Sequence, residues 1–201
     1  QSRSSAASDV YKRQLSFNWN GGGMTCPISL GTSRWYHLAV TYNSSLPDSN
    51  YKLYVDGIEV KSANSTSTPI GNDFKCIVGA MDQDNAAPNK PVNYFSGWMD
   101  ELRIWNKALD PQHIRQMMNQ QIVSNGLAVR GDVIPLDVSG PDDNQDGFDN
   151  ENPIYWSNLL GYYRMDNIAC GYLLPFDGKG VDGKLRLSLI HISEPTRLRR
   201  I

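Results

Sequence analysis

Residues Tyr94 to Met118 read YFSGWMDELRIWNKALDPQHIRQMM, a strand pattern that runs directly into a capped helix. Such a unit leaves few folds open, because it fixes the end of a sheet against one helix. Phe95, Gly97 and Met99 share one strand face, whereas Leu102 and Ile104 have the opposite parity. If both sets are buried, the face must switch at Asp100-Glu101. Either a β-bulge re-aims the residues beyond it, or the run divides into two shorter strands. Past Trp105 the period changes. Asp110 stands at the N-cap, Pro111 at the first helical position, and Leu109 is placed to staple onto Ile114. Ile114, Met117 and Met118 form an apolar stripe that lays this helix on a sheet layer.

Everything before that unit reads as strands. Leu15 to Trp19 is followed by the turn Asn20 to Gly23, then by strands at Thr25 to Leu30 and Trp35 to Tyr42. In the latter, Tyr36, Leu38, Val40 and Tyr42 occupy one face and Trp35, His37, Ala39 and Thr41 the other. Apolar residues on both faces predict a central strand, with Trp35 in the core. Trp105 is expected in the core as well. Tyr51 to Val55 and Ile58 to Val60 flank Asp56-Gly57, a hairpin signal because a type I′ turn needs positive φ at both positions. Phe74 to Met81 predicts a further strand. With one helix among many short strands, the fold class is all-β, an antiparallel sandwich.

Three motifs occur in order: WYHLAVTYN at Trp35 to Asn43, YKLYVDGIEV at Tyr51 to Val60, and the Tyr94 to Met118 unit. Over about Leu15 to Ile122 the chain resembles the laminin-G-like, concanavalin A-like jelly-roll domains of extracellular and bacterial surface proteins. The resemblance implies a jelly-roll β-sandwich with one short C-terminal α-helix. It also implies recognition of a glycan or of a surface or matrix protein through rim loops, outside the cell. The family's earlier strands should precede Leu15, so residues 15–122 are expected to be an N-terminally truncated domain.

The two ends carry a different signal. Asp9 to Gln14 can be encoded by GATGTGTATAAGAGACAG and Leu187 to Ile192 by CTGTCTCTTATACACATC, which are reverse complements. That relation is what a sequencing adapter on both ends of an assembled fragment leaves, so residues 1–14 and 187–201 read as adapter-derived and not native. The remainder has 13 basic and 19 acidic residues, a net charge of −6. An acidic balance argues against binding nucleic acid, for which Lys and Arg supply the affinity. No apolar run reaches the length of a bilayer span, so no membrane insertion is expected in this segment. Cys26, Cys76 and Cys170 show no zinc-ligand spacing. Cys26 and Cys76 either pair or remain buried thiols, and Cys170 has no evident partner.

Two loops could hold a ligand. Met81 to Val92 offers Asp82, Asp84 and Asn85 to calcium or to a sugar hydroxyl, or is simply solvated. Residues 123–154 read as a linker, within which Asp142, Asn144, Asp146 and Gly147 fit the start of a calcium loop. Position 153 is Pro where an EF-hand would carry its bidentate Glu. The pattern therefore resembles the shorter calcium loops of thrombospondin type 3 and dockerin repeats. In that register Phe148 would offer its carbonyl and Asn150 its side chain, making Asp142, Asn144, Asp146, Phe148 and Asn150 the expected metal ligands. An acidic linker without metal is the alternative. Arg130-Gly131-Asp132 spells an integrin-type tripeptide but is expected to be a strand or linker. From Tyr155, YWSNLLGYYRMD and FDGKGVDGKL resemble the opening of another laminin-G-like repeat, residues 155–186. A closing strand of the first domain is the other reading.

Hydrolases built on such sandwiches place paired carboxylates in one cleft. Asp100-Glu101 is the only acidic pair on an expected core strand, and a charge pair between Glu101 and Arg103 gives it a structural role. His37 lacks partners at motif spacing and reads as a packed histidine. The expectation is a non-catalytic extracellular recognition or adhesion module that binds carbohydrate or protein, with calcium as cofactor. A structural spacer repeat, or an accessory module of a secreted glycoside hydrolase, is the alternative.

Overall fold

The structure, a computed structural model, describes residues 14–19, 22–65, 77–82, 91–140 and 153–184. Strand β1 (Gln14–Trp19) pairs antiparallel with β2 (Gly22–Ser29), where alternation turns Met24 and Cys26 inward. β3 (Leu38–Tyr42), β4 (Tyr51–Val55) and β5 (Ile58–Ala63) form an antiparallel meander in that order. Asp56 and Gly57 join β4 to β5 at φ of 50° and 74°, the positive values that a type I′ turn demands. Leu53 pairs with Lys61 but Tyr54 pairs with Glu59, so Val60 is the extra residue of a bulge.

Met24, Cys26, Tyr51, Leu53 and Val55 are buried together, with Leu15, Phe17, Trp19, Tyr36 and Tyr42 packed around them. The β1–β2 hairpin therefore covers the meander, and two antiparallel layers share one core. Trp19 stacks on Tyr51 with ring centroids 4.3 Å apart at 9°. Cys26 is a buried free thiol, whereas Cys76 lies outside the described residues.

The expected central strand is β4, not β3. Among the described residues β3 stands at the end of its sheet, and Leu38 and Val40 are exposed. The cause is placement: β2 lies against β5, leaving Leu38 and Val40 beside a shallow apolar depression of about 110 Å³ lined also by Leu15, Phe17 and Leu53. The strand is shorter than expected and begins at Leu38, so Trp35 precedes it and is exposed instead of buried.

Of the strand expected from Phe74 to Met81, residues 74–76 lie outside the described residues. Residues 78–80 bend, and among the described residues of this stretch β6 (Met81–Asp82) pairs, with β7 (Pro91–Val92). The long strand expected from Tyr94 does not form. Residues 93–101 are irregular with Phe95, Trp98 and Met99 exposed, and β8 spans only Leu102–Trp105. No ladder crosses Asp100-Glu101, so no bulge is needed. Glu101 sits at φ 56°, and this left-handed residue re-aims the chain.

The helix starts where the sequence predicts, but Met118, expected in its apolar stripe, is the half-buried C-cap beyond its last residue. α1 (Pro111–Met117) starts behind Asp110 and buries His113, Ile114 and Met117. The Asp110 amide donates to His113 Nδ1 at 3.2 Å. β9 (Ile122–Ser124) and β10 (Val129–Gly131) then form a hairpin. Arg130 and Gly131 of the Arg-Gly-Asp tripeptide lie in β10, with Arg130 Nε 3.0 Å from Asp137 and Gly131 buried, and Asp132 follows the strand in a bend.

The described residues divide into two compact units: those up to Trp98 with Trp105–Leu159, and Met99–Ile104 with those from Leu160. In the second, β8 pairs with β11 (Leu159–Tyr163), and β12 (Ile168–Ala169), β13 (Tyr172–Leu173) and β14 (Gly183–Lys184) make a small antiparallel sheet. From Tyr155 the chain thus runs into a strand whose partner is β8. Cys170 is exposed at the β12–β13 turn.

Candidate functional site

The chain from Gly31 to His37, which leads into β3, is held at both ends by hydrogen bonds and at its centre by a charge. The Gly31 amide donates to the Tyr36 hydroxyl at 2.8 Å. The Arg34 guanidinium lies 4.2 Å over the Tyr36 ring and pairs with the Asp56 carboxylate. The other Asp56 oxygen accepts the His37 amide at 2.9 Å, and the Asp56 amide donates to the His37 carbonyl at 2.8 Å. The β4–β5 turn therefore fixes the loop through one carboxylate. Ser33, within the bend at residues 32–34, is left-handed at φ 69°.

Trp35 takes no part in this bracing. It is 63 % exposed on a segment whose neighbours are tied down. A large aromatic ring outside the core, carried on a fixed loop, can stack on a flat apolar ligand face. Parity counting missed it, because alternation was extended three residues ahead of the strand that imposes it. The polar run Thr32-Ser33-Arg34 before Trp35 was the available signal. Trp98 is 60 % exposed, with Tyr94 and Phe95 also outside. Trp156, by contrast, is buried.

The acidic pair has other work. Glu101 Oε2 accepts Arg103 Nη2 at 2.6 Å and the Tyr162 hydroxyl at 2.7 Å. Arg164 Nε donates to the same hydroxyl at 3.1 Å and stacks 3.4 Å over Phe176. The charge pair expected between Glu101 and Arg103 is therefore present, inside an aromatic and guanidinium cluster. Loss of water around Asp100 raises its pKa above the ordinary carboxylate value, and the adjacent Glu101 adds to the shift.

Among the described residues, no group of three or more His, Cys, Asp or Glu could hold a metal ion. Asp142, Asn144, Asp146, Phe148 and Asn150 lie outside the described residues, as do Asp84 and Asn85, whereas Asp82 is in β6. His37 is half-buried, its backbone bonded to Asp56 as above. No described helix is long and apolar enough to cross a membrane.

A family model described as the concanavalin A-like lectin/glucanases superfamily matches residues 4–115, more than half of the chain, beginning ahead of Leu15. The match takes in the braced loop, the β4–β5 hairpin and the start of α1. No solved structure matches the chain.

Proposed function

The chain belongs to the concanavalin A-like lectin/glucanases superfamily, and from that premise we propose that it is a non-catalytic recognition module working outside the cell. It binds carbohydrate or protein at the rim of its sheets. One observation carries the reading: Trp35 stands in solvent on a loop that the Asp56 carboxylate and the Tyr36 side chain hold in place. An exposed ring costs nothing in stability where it stands, and a fixed loop spares binding the entropy of ordering it.

The acidic pair supports a binding module over a hydrolase. Glu101 is committed to Arg103 and Tyr162, and a carboxylate so engaged is poorly placed to exchange a proton with a glycosidic oxygen. Calcium remains part of the proposal, with Asp142, Asn144, Asp146, Phe148 and Asn150 as its ligands. The alternating oxygen donors of that run support it.

The test is a glycan and matrix-protein array probed with the full chain, once in calcium and once with a chelator. Saturable binding to a glycan or a matrix protein is expected, and its loss on chelation would assign the cation a role. A chain that binds nothing in either buffer refutes the recognition reading and leaves the spacer in its place.

A further inference from the structure

We propose that α1 is a latch that mild acid opens, with the buried imidazole of His113 as the group that responds. At the third position of a helix a capping box needs a side chain that accepts the N-cap amide, and Glu or Gln does so throughout the neutral and mildly acidic range. Here the position is His113: the Asp110 amide donates to its Nδ1 at 3.2 Å, and the two residues form a capping box. The bond requires a lone pair on Nδ1, so it exists only while that nitrogen carries no proton. From this cap α1 reaches two neighbours. Arg115 Nη1 donates to the Gly57 carbonyl at 3.4 Å, on the β4–β5 turn. Gln116 Oε1 accepts the amide of buried Ser139 at 3.0 Å, so the helix also holds the stretch that leads to the run at 142–150.

The direction follows from the charges around the ring. Protonated, Nδ1 would lose the amide and turn a hydrogen toward Asp110 Oδ2, 3.5 Å away. The Asp110 side chain is 54 % exposed, so water screens its attraction, whereas the imidazolium would stand wholly inside, at the positive end of a helix. Asp110 also acts on Lys52 and Tyr54 of β4, and Lys52 pairs with Glu59 of β5 at 3.2 Å. In the stretch that Gln116 holds, the charged groups are Asp132 and Asp137, and Asp137 pairs with Arg130. The carboxylate nearest the ring is therefore screened by water and shared with Lys52. Burial and the helix terminus outweigh it, and the ring takes up its proton when α1 lets go. The latch is thus fully closed above the ordinary imidazole pKa of about 6.5, and below it the opening constant rises about tenfold per pH unit.

Hydrogen exchange of the full chain, resolved by residue and corrected for the intrinsic rate at each pH, reads the opening. The Ile114 and Met118 amides, bonded to the Asp110 and Ile114 carbonyls, and the Ser139 amide should exchange about thirtyfold faster at about pH 5.0 than at about pH 7.5. The His37 amide, held by Asp56 within the meander, should not change. His113→Gln is the decisive variant. Gln keeps an acceptor for the Asp110 amide and does not titrate, so α1 should stay in place and the acid response should vanish. Asp110→Asn retains an N-cap side chain and should keep the response; its loss there would assign the response to Asp110 instead and overturn the latch. A wild-type α1 as well protected in acid as at neutral pH, or better, also overturns it. So does a response that survives in His113→Gln, or α1 amides that open while that of Ser139 stays closed.

Discussion

Glu101→Gln removes one charge from the cluster around Tyr162 while keeping the shape of the side chain. The pair it breaks is intermediate in exposure: the Arg103 side chain is 8 % exposed and that of Glu101 23 %. Breaking a fully buried pair costs about 3–5 kcal/mol, whereas a solvent-exposed pair contributes about 0.2–1 kcal/mol. The 2.6 Å contact and the near-burial of Arg103 place this pair closer to the first limit. The loss should be about 2–3 kcal/mol, since Gln still accepts a hydrogen bond from the Tyr162 hydroxyl. Because the chain forms two compact units, one global transition is a poor readout. The Tyr162 amide, bonded to the Lys179 carbonyl at 2.9 Å, reports the relevant unit by hydrogen exchange. A double-mutant cycle with Arg103→Met isolates the coupling. A coupling below about 0.5 kcal/mol would mean the pair behaves as a surface contact, and the structural role given to Glu101 would be wrong.

Trp35→Ala should leave stability within about 0.5 kcal/mol of wild type in urea unfolding, as for other exposed positions; a larger loss would place the ring in a core. Asp100→Asn should stabilise the protein at neutral pH but not in acid. With its folded pKa raised, Asp100 holds its proton longer in the folded state than in the unfolded one. Stability therefore falls as pH rises from the ordinary carboxylate value through the raised one, and stays lower above it. The residue is exposed, so screening keeps the effect small. Urea midpoints across acidic pH should converge for the two proteins at the low end, and parallel curves would contradict the shift. Gly57→Val should cost about 2 kcal/mol or more, because φ is +74° and a Cβ would lie 2.6 Å from Arg115 Cγ; an unchanged urea midpoint would refute that strain.

Local chemistry was legible in the sequence wherever two or three adjacent residues decide the conformation. Asp56-Gly57 dictates a turn because few other pairs accept positive φ twice, and Asp110-Pro111 starts a helix without help from distant residues. What resisted reading depends on which layer covers which. The alternation in Trp35 to Tyr42 was visible, but not that the β1–β2 hairpin would lie over β4 and β5, leaving Leu38 and Val40 outside. Likewise the parity change at Asp100-Glu101 was visible, and its cause was not. A single positive-φ residue re-aims the chain as a bulge would, and no sequence pattern separates the two. The candidate loop was hidden for a related reason. Its bracing joins Arg34 to Asp56 and His37 to Asp56, pairs about twenty residues apart that only the β3–β4 register brings together.

The single carboxylate that clamps the loop also has a consequence for the order of assembly. β3, β4 and β5 succeed one another in the chain, so their pairing closes only short loops and should form early. Because Asp56 sits in the β4–β5 turn of that meander, the loop bearing Trp35 is drawn into place by the same event, without waiting for the β1–β2 layer to dock. Hydrogen exchange would then show the His37 amide as slow as those of β4. A binding surface built this way is ordered as soon as the meander is, and its tip can vary in sequence without changing how the meander folds.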